Sequence, residues 1–172
     1  QLLPIYDKPL IFYSLSILML SKIRDVLIIV NKGQLEQYKK VLPNGKNLGM
    51  NISYKEQEKP NGLPEAFLIG EDFIKNDNVA LILGDNFFYA QNLTSILLEA
   101  IKLNKGSQVI LHKVNKPELY GVATIKKKKI VSIREKPKKF ISDKAITGLY
   151  FFDNQVVKYS KKIKKSKRNE FE

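Results

Sequence analysis

The sequence contains no cysteine. That excludes a disulfide scaffold, a thiolate metal site and a cysteine nucleophile. It has no tryptophan and a single histidine, His112, so a multi-histidine metal site is excluded as well. Acidic residues are scarce: 17 stand against 30 basic ones, for a formal net charge of +13. Such a surplus admits an anionic partner without naming one. No apolar run approaches the roughly 20 residues of a membrane span. One of the longest, residues 79–83, has the length of a strand. The first residues carry no signal-peptide or transit-peptide pattern. Also missing are a Walker A loop, a G-x-G-x-x-G fingerprint and a serine nucleophile elbow.

What is present is globular. A chain of 172 residues with 44% hydrophobic and 27% charged residues can bury one sizeable core, and is too short for two ordinary domains. Apolar runs alternate with amphipathic segments. Helices are expected at about 10–22, after Pro9, and at 34–41, 63–74 and 93–103. Strands are expected at 25–30, 51–54, 79–83 and 109–112, the first β-branched and nearly continuous and the third buried as well. Strands separated by helices imply a mostly parallel sheet with right-handed crossovers. The opening helix has no strand in front of it, so the first unit is incomplete. Residues 121–125, 130–134 and 147–152 are strand-rich and extend the sheet as a mixed one. The lysine run at 126–129 has the character of a basic hairpin tip. His112 falls within a strand, with no acid or nucleophile arranged around it, and is expected to be structural. Gln1 followed by apolar residues, and a charged stretch over 167–172, give the expectation of one domain over 1–172 that is cut at both ends.

Ligands of open α/β sheets bind beyond the carboxyl ends of the strands, and three segments fall there. Gly84-Asp85-Asn86 follows the strongest strand. A carboxylate there can hold Mg²⁺ beside a phosphate, although an aspartate capping a turn would look the same. Gln57, with Pro60-Asn61-Gly62-Leu63, offers an amide donor and acceptor for a pyrimidine edge and backbone N–H groups for an anion. An ordinary strand-to-helix loop has the same composition. Glu135-Lys136-Pro137, after Arg134, offers a carboxylate for sugar hydroxyls and an amine for a phosphate, against the alternative of a solvated charge cluster.

In this order the three segments resemble the sugar-phosphate nucleotidyltransferases, and within them the branch that transfers a thymidylyl group to glucose 1-phosphate. Residues 1–9 resemble the stretch that follows the family's catalytic Gly-rich loop. Residues 84–89 resemble its metal-binding strand end. Tyr120-Gly121-Val122, Glu135-Lys136-Pro137 and residues 147–153 match further blocks in register.

The resemblance implies a three-layer, Rossmann-like α/β fold with a mixed, mostly parallel central sheet whose first strand is missing here. It implies a reaction of dTTP with glucose 1-phosphate, giving dTDP-glucose and pyrophosphate, with Mg²⁺ as cofactor. By the same resemblance Asp85 would bind the metal. Gln57, Pro60, Gly62 and Leu63 would bind the nucleotide, and Tyr120, Gly121, Glu135, Lys136, Gly148 and Tyr150 the sugar phosphate. The family's catalytic lysine and arginine would precede Gln1, and its second metal aspartate would follow Glu172, so the chain alone is expected not to turn over. A bacterial cytoplasmic homotetramer feeding deoxysugar synthesis, such as that of rhamnose, is implied too, with no nucleic-acid or membrane partner. The rival readings are a UTP-dependent uridylyltransferase, a non-catalytic nucleotide-sugar sensor on the same fold, and a binder of nucleic acid or anionic surfaces. The last requires basic residues gathered on one face with interleaved aromatics, and the lysines here are spread.

Overall fold

The computed structural model describes residues 1–127, 129–165 and 171. A short hairpin, β1 (Pro4–Ile5) and β2 (Lys8–Pro9), opens the chain and leads into α1 (Leu10–Leu20). Pro9 sits just before the helix with φ −56° and ψ 144°, where its lack of an N–H costs nothing. Then follow β3 (Asp25–Asn31), α2 (Leu35–Val41), β4 (Asn51–Gln57), α3 (Leu63–Ile69), α4 (Glu71–Ile74) and β5 (Val79–Ile82). After them come α5 (Leu93–Ala100), β6 (Ser107–Lys113), β7 (Gly121–Lys126), β8 (Lys129–Glu135), β9 (Lys144–Phe152) and α6 (Gln155–Ser160). The expected helix over 63–74 is two helices, parted at Gly70.

The layers follow from strand alternation. Along β5, Ala80 and Ile82 face one way, onto Ile11, Leu15 and Leu18 of α1 and onto Leu97 and Ala100 of α5. Val79 and Leu81 face the other way, with Phe67 of α3, Ile74 of α4 and Val156 and Val157 of α6. β9 repeats the division, with Leu149 and Phe151 on the α1/α5 side and Phe152 on the α3/α6 side. The result is helix, sheet, helix, as expected for the fold class. α1 is apolar nearly all round because it packs against both β3 and α5.

Beyond the opening hairpin, the described strands pair as two sheets, β3 with β4 and β5 to β9 together, so the expected single, mostly parallel sheet is not what the pairing gives. Only β3 and β4 pair in parallel, from Asp25↔Asn51 to Asn31↔Gln57. β9 runs antiparallel to β5, β6 and β7, and β7 runs antiparallel to β8. β5 and β6, joined through α5, do not pair with each other; both take β9 as partner. The reason is burial: β9 is long and apolar, with Ala145, Leu149 and Phe151 each under 5% exposed, and it claims the interior position. The hairpin tip between β7 and β8 is basic as expected, with Lys126 opposite Lys129; Lys128 lies outside the described residues. So does the charged stretch over 167–172, apart from Phe171. His112 sits on β6 and is exposed.

β3 and β5 do not pair, and a cleft of about 1320 Å³ lies between them. α1 spans it on one face of the sheet and α3 on the other.

Candidate functional site

Gln57 ends β4 directly beside Asn31, the last residue of β3. Its Nε2 donates to Asn31 Oδ1 at 2.9 Å, and its carbonyl accepts from the Lys32 N–H at 2.9 Å. The loop that follows turns at Gly62, whose φ of +105° favours glycine. A Cβ there would lie 2.1 Å from the Phe171 carbonyl oxygen, and the Phe171 N–H donates to the Asn61 carbonyl at 2.7 Å. The helix start offers an anion less than its position suggests. Pro64 has no N–H, and the Glu65 N–H already donates to the Gly62 carbonyl at 3.2 Å. Glu65 also brings a carboxylate to that turn. Its Oε1 accepts from Asn61 Nδ2 at 2.7 Å, while its Oε2 is buried without a hydrogen-bond partner. Leu63 is 38% exposed at the first position of α3.

Asp85 sits on a turn pinned from two sides. The Ser14 hydroxyl of α1, 2% exposed, lies 3.3 Å from the carbonyls of both Leu83 and Asn86. The Leu83 N–H donates to the Gly148 carbonyl at 3.0 Å, and Asn86 Nδ2 donates to the Thr147 carbonyl. Gly148, with φ +77°, is what lets β9 pass this close: a Cβ would fall 2.3 Å from Asn86 Nδ2. The carboxylate of Asp85 is exposed to solvent. Among the described residues no group of three or more carboxylate, histidine or cysteine side chains gathers. Asp85 could therefore offer a hard divalent cation one protein oxygen, and no cluster of further carboxylates among the described residues gathers beside it.

The third segment is built by the β7–β8 pair. Gly121 stands opposite Glu135, and a Cβ on it would lie 2.8 Å from Glu135 Oε2, so the glycine leaves room for the carboxylate. The Lys136 N–H donates to the Tyr120 carbonyl at 3.0 Å. Lys136 takes φ +40°, a conformation rare outside glycine, which turns the chain sharply off the strand. Tyr150, on β9, stacks on Phe152 with ring centroids 6.0 Å apart. Burial, and then the negative charge of Glu135, push its phenol above the ordinary value. At neutral pH it is a neutral hydroxyl, able to donate.

The cleft between β3 and β5 gathers these parts. Gln57, Pro60, Gly62 and Leu63 line it, together with Glu135 and Tyr150. Gly84 also lines it, which places Asp85 at the next residue. Tyr120, Gly121, Lys136 and Gly148 lie outside its wall and connect to it through the backbone contacts above. Sequence reading missed Asn31, Ser14 and Phe171, whose places depend on strand register and long-range packing.

Residues 1–172 match the family described as Nucleotidyl transferase. A glucose-1-phosphate thymidylyltransferase of Neisseria meningitidis is 48% identical over 173 residues, covering 100% of this chain and 60% of that protein. Its counterpart in Mycobacterium tuberculosis is 41% identical over the same share of each. The chain thus spans about 60% of the length of these relatives. Among solved structures, a glucose-1-phosphate thymidylyltransferase of Bacillus anthracis, described as putative and in complex with a sucrose, aligns with TM-score 0.89 and 36% identity, over 99% of this chain and 69% of that one. A UDP-glucose pyrophosphorylase complexed with UDP-glucose aligns with TM-score 0.83 and 27% identity, over 99% and 74%.

Proposed function

This chain belongs to the nucleotidyl transferase family, and on that premise we propose that it serves the transfer of a thymidylyl group from dTTP to glucose 1-phosphate, yielding dTDP-glucose and pyrophosphate. The observation that carries the reading is the shared cleft: a strand-end amide, Gln57, and a strand-end carboxylate, Glu135, line one cavity beside the Asp85 turn. Amide, carboxylate and metal-facing aspartate correspond to base, sugar and phosphates in one extended ligand.

Each residue then has a task. Gln57 reads the base edge, with Pro60, Gly62 and Leu63 shaping the loop against the nucleoside. Glu135 accepts from sugar hydroxyls, with Gly121 leaving it space and Tyr120 beside it. Lys136 meets the sugar phosphate, and Tyr150 donates its hydroxyl on the phosphate side. Gly148 lets the backbone of β9 come close to the sugar. A phosphate oxygen of the sugar phosphate attacks the α-phosphorus in line, the bond to the β-phosphate oxygen breaks, and pyrophosphate leaves with the electron pair. For such a reaction the protein mainly positions its substrates and neutralises charge. Mg²⁺, held by Asp85 among the phosphates, would supply charge neutralisation. A cytoplasmic homotetramer accompanies the same reading.

Calorimetric titration tests it. The chain is expected to bind dTDP-glucose. Gln57→Ala should weaken binding of both dTDP-glucose and dTTP about tenfold, the order of one or two net hydrogen bonds. Glu135→Ala should weaken dTDP-glucose alone, since dTTP has no hexose. Equal losses on both ligands from Glu135→Ala, or none from Gln57→Ala, would overturn the assignment. Uridylyl transfer is the second reading, favoured by the likeness to the UDP-glucose pyrophosphorylase. Thymine and uracil share the edge that Gln57 meets, so the same titration with UDP-glucose separates the two.

A further inference from the structure

The loop between β4 and α3 has little to hold it. Among the described residues, the backbone of 58–62 makes one hydrogen bond outside the loop and the helix it enters, and the partner is Phe171. The Phe171 N–H donates to the Asn61 carbonyl at 2.7 Å. One residue on, the Phe171 carbonyl oxygen lies 2.1 Å from where a Gly62 Cβ would stand. Gly62 takes φ +105° and ψ 162°, a region open to glycine and almost closed to other residues. Glycine is thus required twice, once by the bend and once by the backbone pressed against it.

Phe171 is itself tied down. It forms an antiparallel bridge with Lys165, and Lys165 Nζ stands 5.3 Å from the centre of its ring. It also lines the cleft, together with Gln57, Pro60, Gly62 and Leu63. A loop fixed before its ligand arrives has less ordering entropy to lose on binding. We propose that Phe171 is a positioning residue: its backbone clamps the Asn61–Gly62 turn, so that the loop meets a pyrimidine nucleotide already in place. This rests on the assignment of that loop to the nucleotide.

The test uses two variants of the whole chain, with circular dichroism melts to check that they fold. Phe171→Ala keeps the backbone N–H and carbonyl and loses the ring. Phe171→Pro loses the N–H. The titrants are dTTP and glucose 1-phosphate. The proline variant should bind dTTP about fivefold more weakly, the order of one net hydrogen bond, and glucose 1-phosphate as before. The alanine variant should bind both as the wild type does. Amide exchange over residues 61–65 should quicken in the proline variant only. In a Gly62→Ala background, where the new Cβ has already displaced the Phe171 carbonyl, Phe171→Pro should cost nothing further. Unchanged dTTP binding in the proline variant overturns the proposal, as do equal losses from alanine and proline, or a further loss in the Gly62→Ala background. A merely structural role would lower the melting temperature with dTTP affinity intact, or weaken both titrants together. If Gln57→Ala leaves dTTP binding unchanged as well, the base-site assignment itself has failed, and this inference falls with it.

Discussion

Gly148 decides how closely β9 can approach the Asp85 turn. Its φ of +77° costs an L-residue about 1–2 kcal/mol, and a Cβ would collide with Asn86 Nδ2 at 2.3 Å and Leu83 Cδ1 at 2.7 Å. Gly33 is the built-in control, with a similar φ of +82° and nothing within 4 Å of its would-be Cβ. Gly148→Ala is therefore expected to destabilise the chain by about 2–4 kcal/mol, the strain plus the cost of overpacking, and Gly33→Ala by the strain alone. Urea melts of the two variants measure the difference, and equal losses would show that the close approach is unimportant. At this scale the sequence was legible in placement: it set Gln57, Asp85 and Glu135 at or just beyond strand ends, where the structure has them. It was silent on Asn31 and Ser14. A strand asparagine and a helix serine have no signature of their own, and their partners lie 26 and 69 residues away.

Among elements, local periodicity carried almost every helix and strand, because amphipathic pattern and β-branching are local properties. Strand order is not local. Nothing in residues 144–152 says that they part β5 from β6, and the expected parallel majority was lost there. The cleft between β3 and β5 shows the other side of this. Among the described residues β3 pairs only with β4 and β5 only with β9, so each turns an unpaired edge to the cleft. Unpaired strand backbone walled by apolar side chains is a docking template for another strand. Gln1 lines the cleft beside Gly84, so a segment joined upstream begins at its mouth. Extending the chain before Gln1 by a six-residue valine- and isoleucine-rich strand is expected to raise the melting temperature by at least about 4 °C, equivalent to roughly 1–2 kcal/mol in a chain of this size. Hydrogen exchange should slow at Val26–Val30 and Val79–Ile82 in that variant and not in one with prolines in the added segment. Equal melting temperatures would mean that the edges are already satisfied.

At the scale of the whole molecule, the +13 charge is mostly a solvated lysine surface. The ion pairs among the described residues, such as Lys32–Glu58 and Lys102–Glu99, are exposed and contribute little. The pH dependence written into the fold lies with buried phenols instead. Burial raises the values of Tyr38, Tyr54 and Tyr150, and Glu135 adds to the effect at Tyr150. A group that holds its proton more tightly folded than unfolded contributes stability that is whole below its unfolded value, near 10 for tyrosine. That stability drains as pH rises through the folded value. Lysines lose charge over the same range and relieve repulsion, so a melting curve alone would mix the two effects. Absorbance at 295 nm separates them, because it follows tyrosinate only. Of the eight tyrosines, the native chain should titrate these three late, giving two phases that merge into one in denaturant. Tyr150→Phe should shrink the late phase and flatten the alkaline fall in stability. A single phase in the native chain would mean that the three rings meet water freely, and that the Tyr150 side of the cleft is open where the structure closes it.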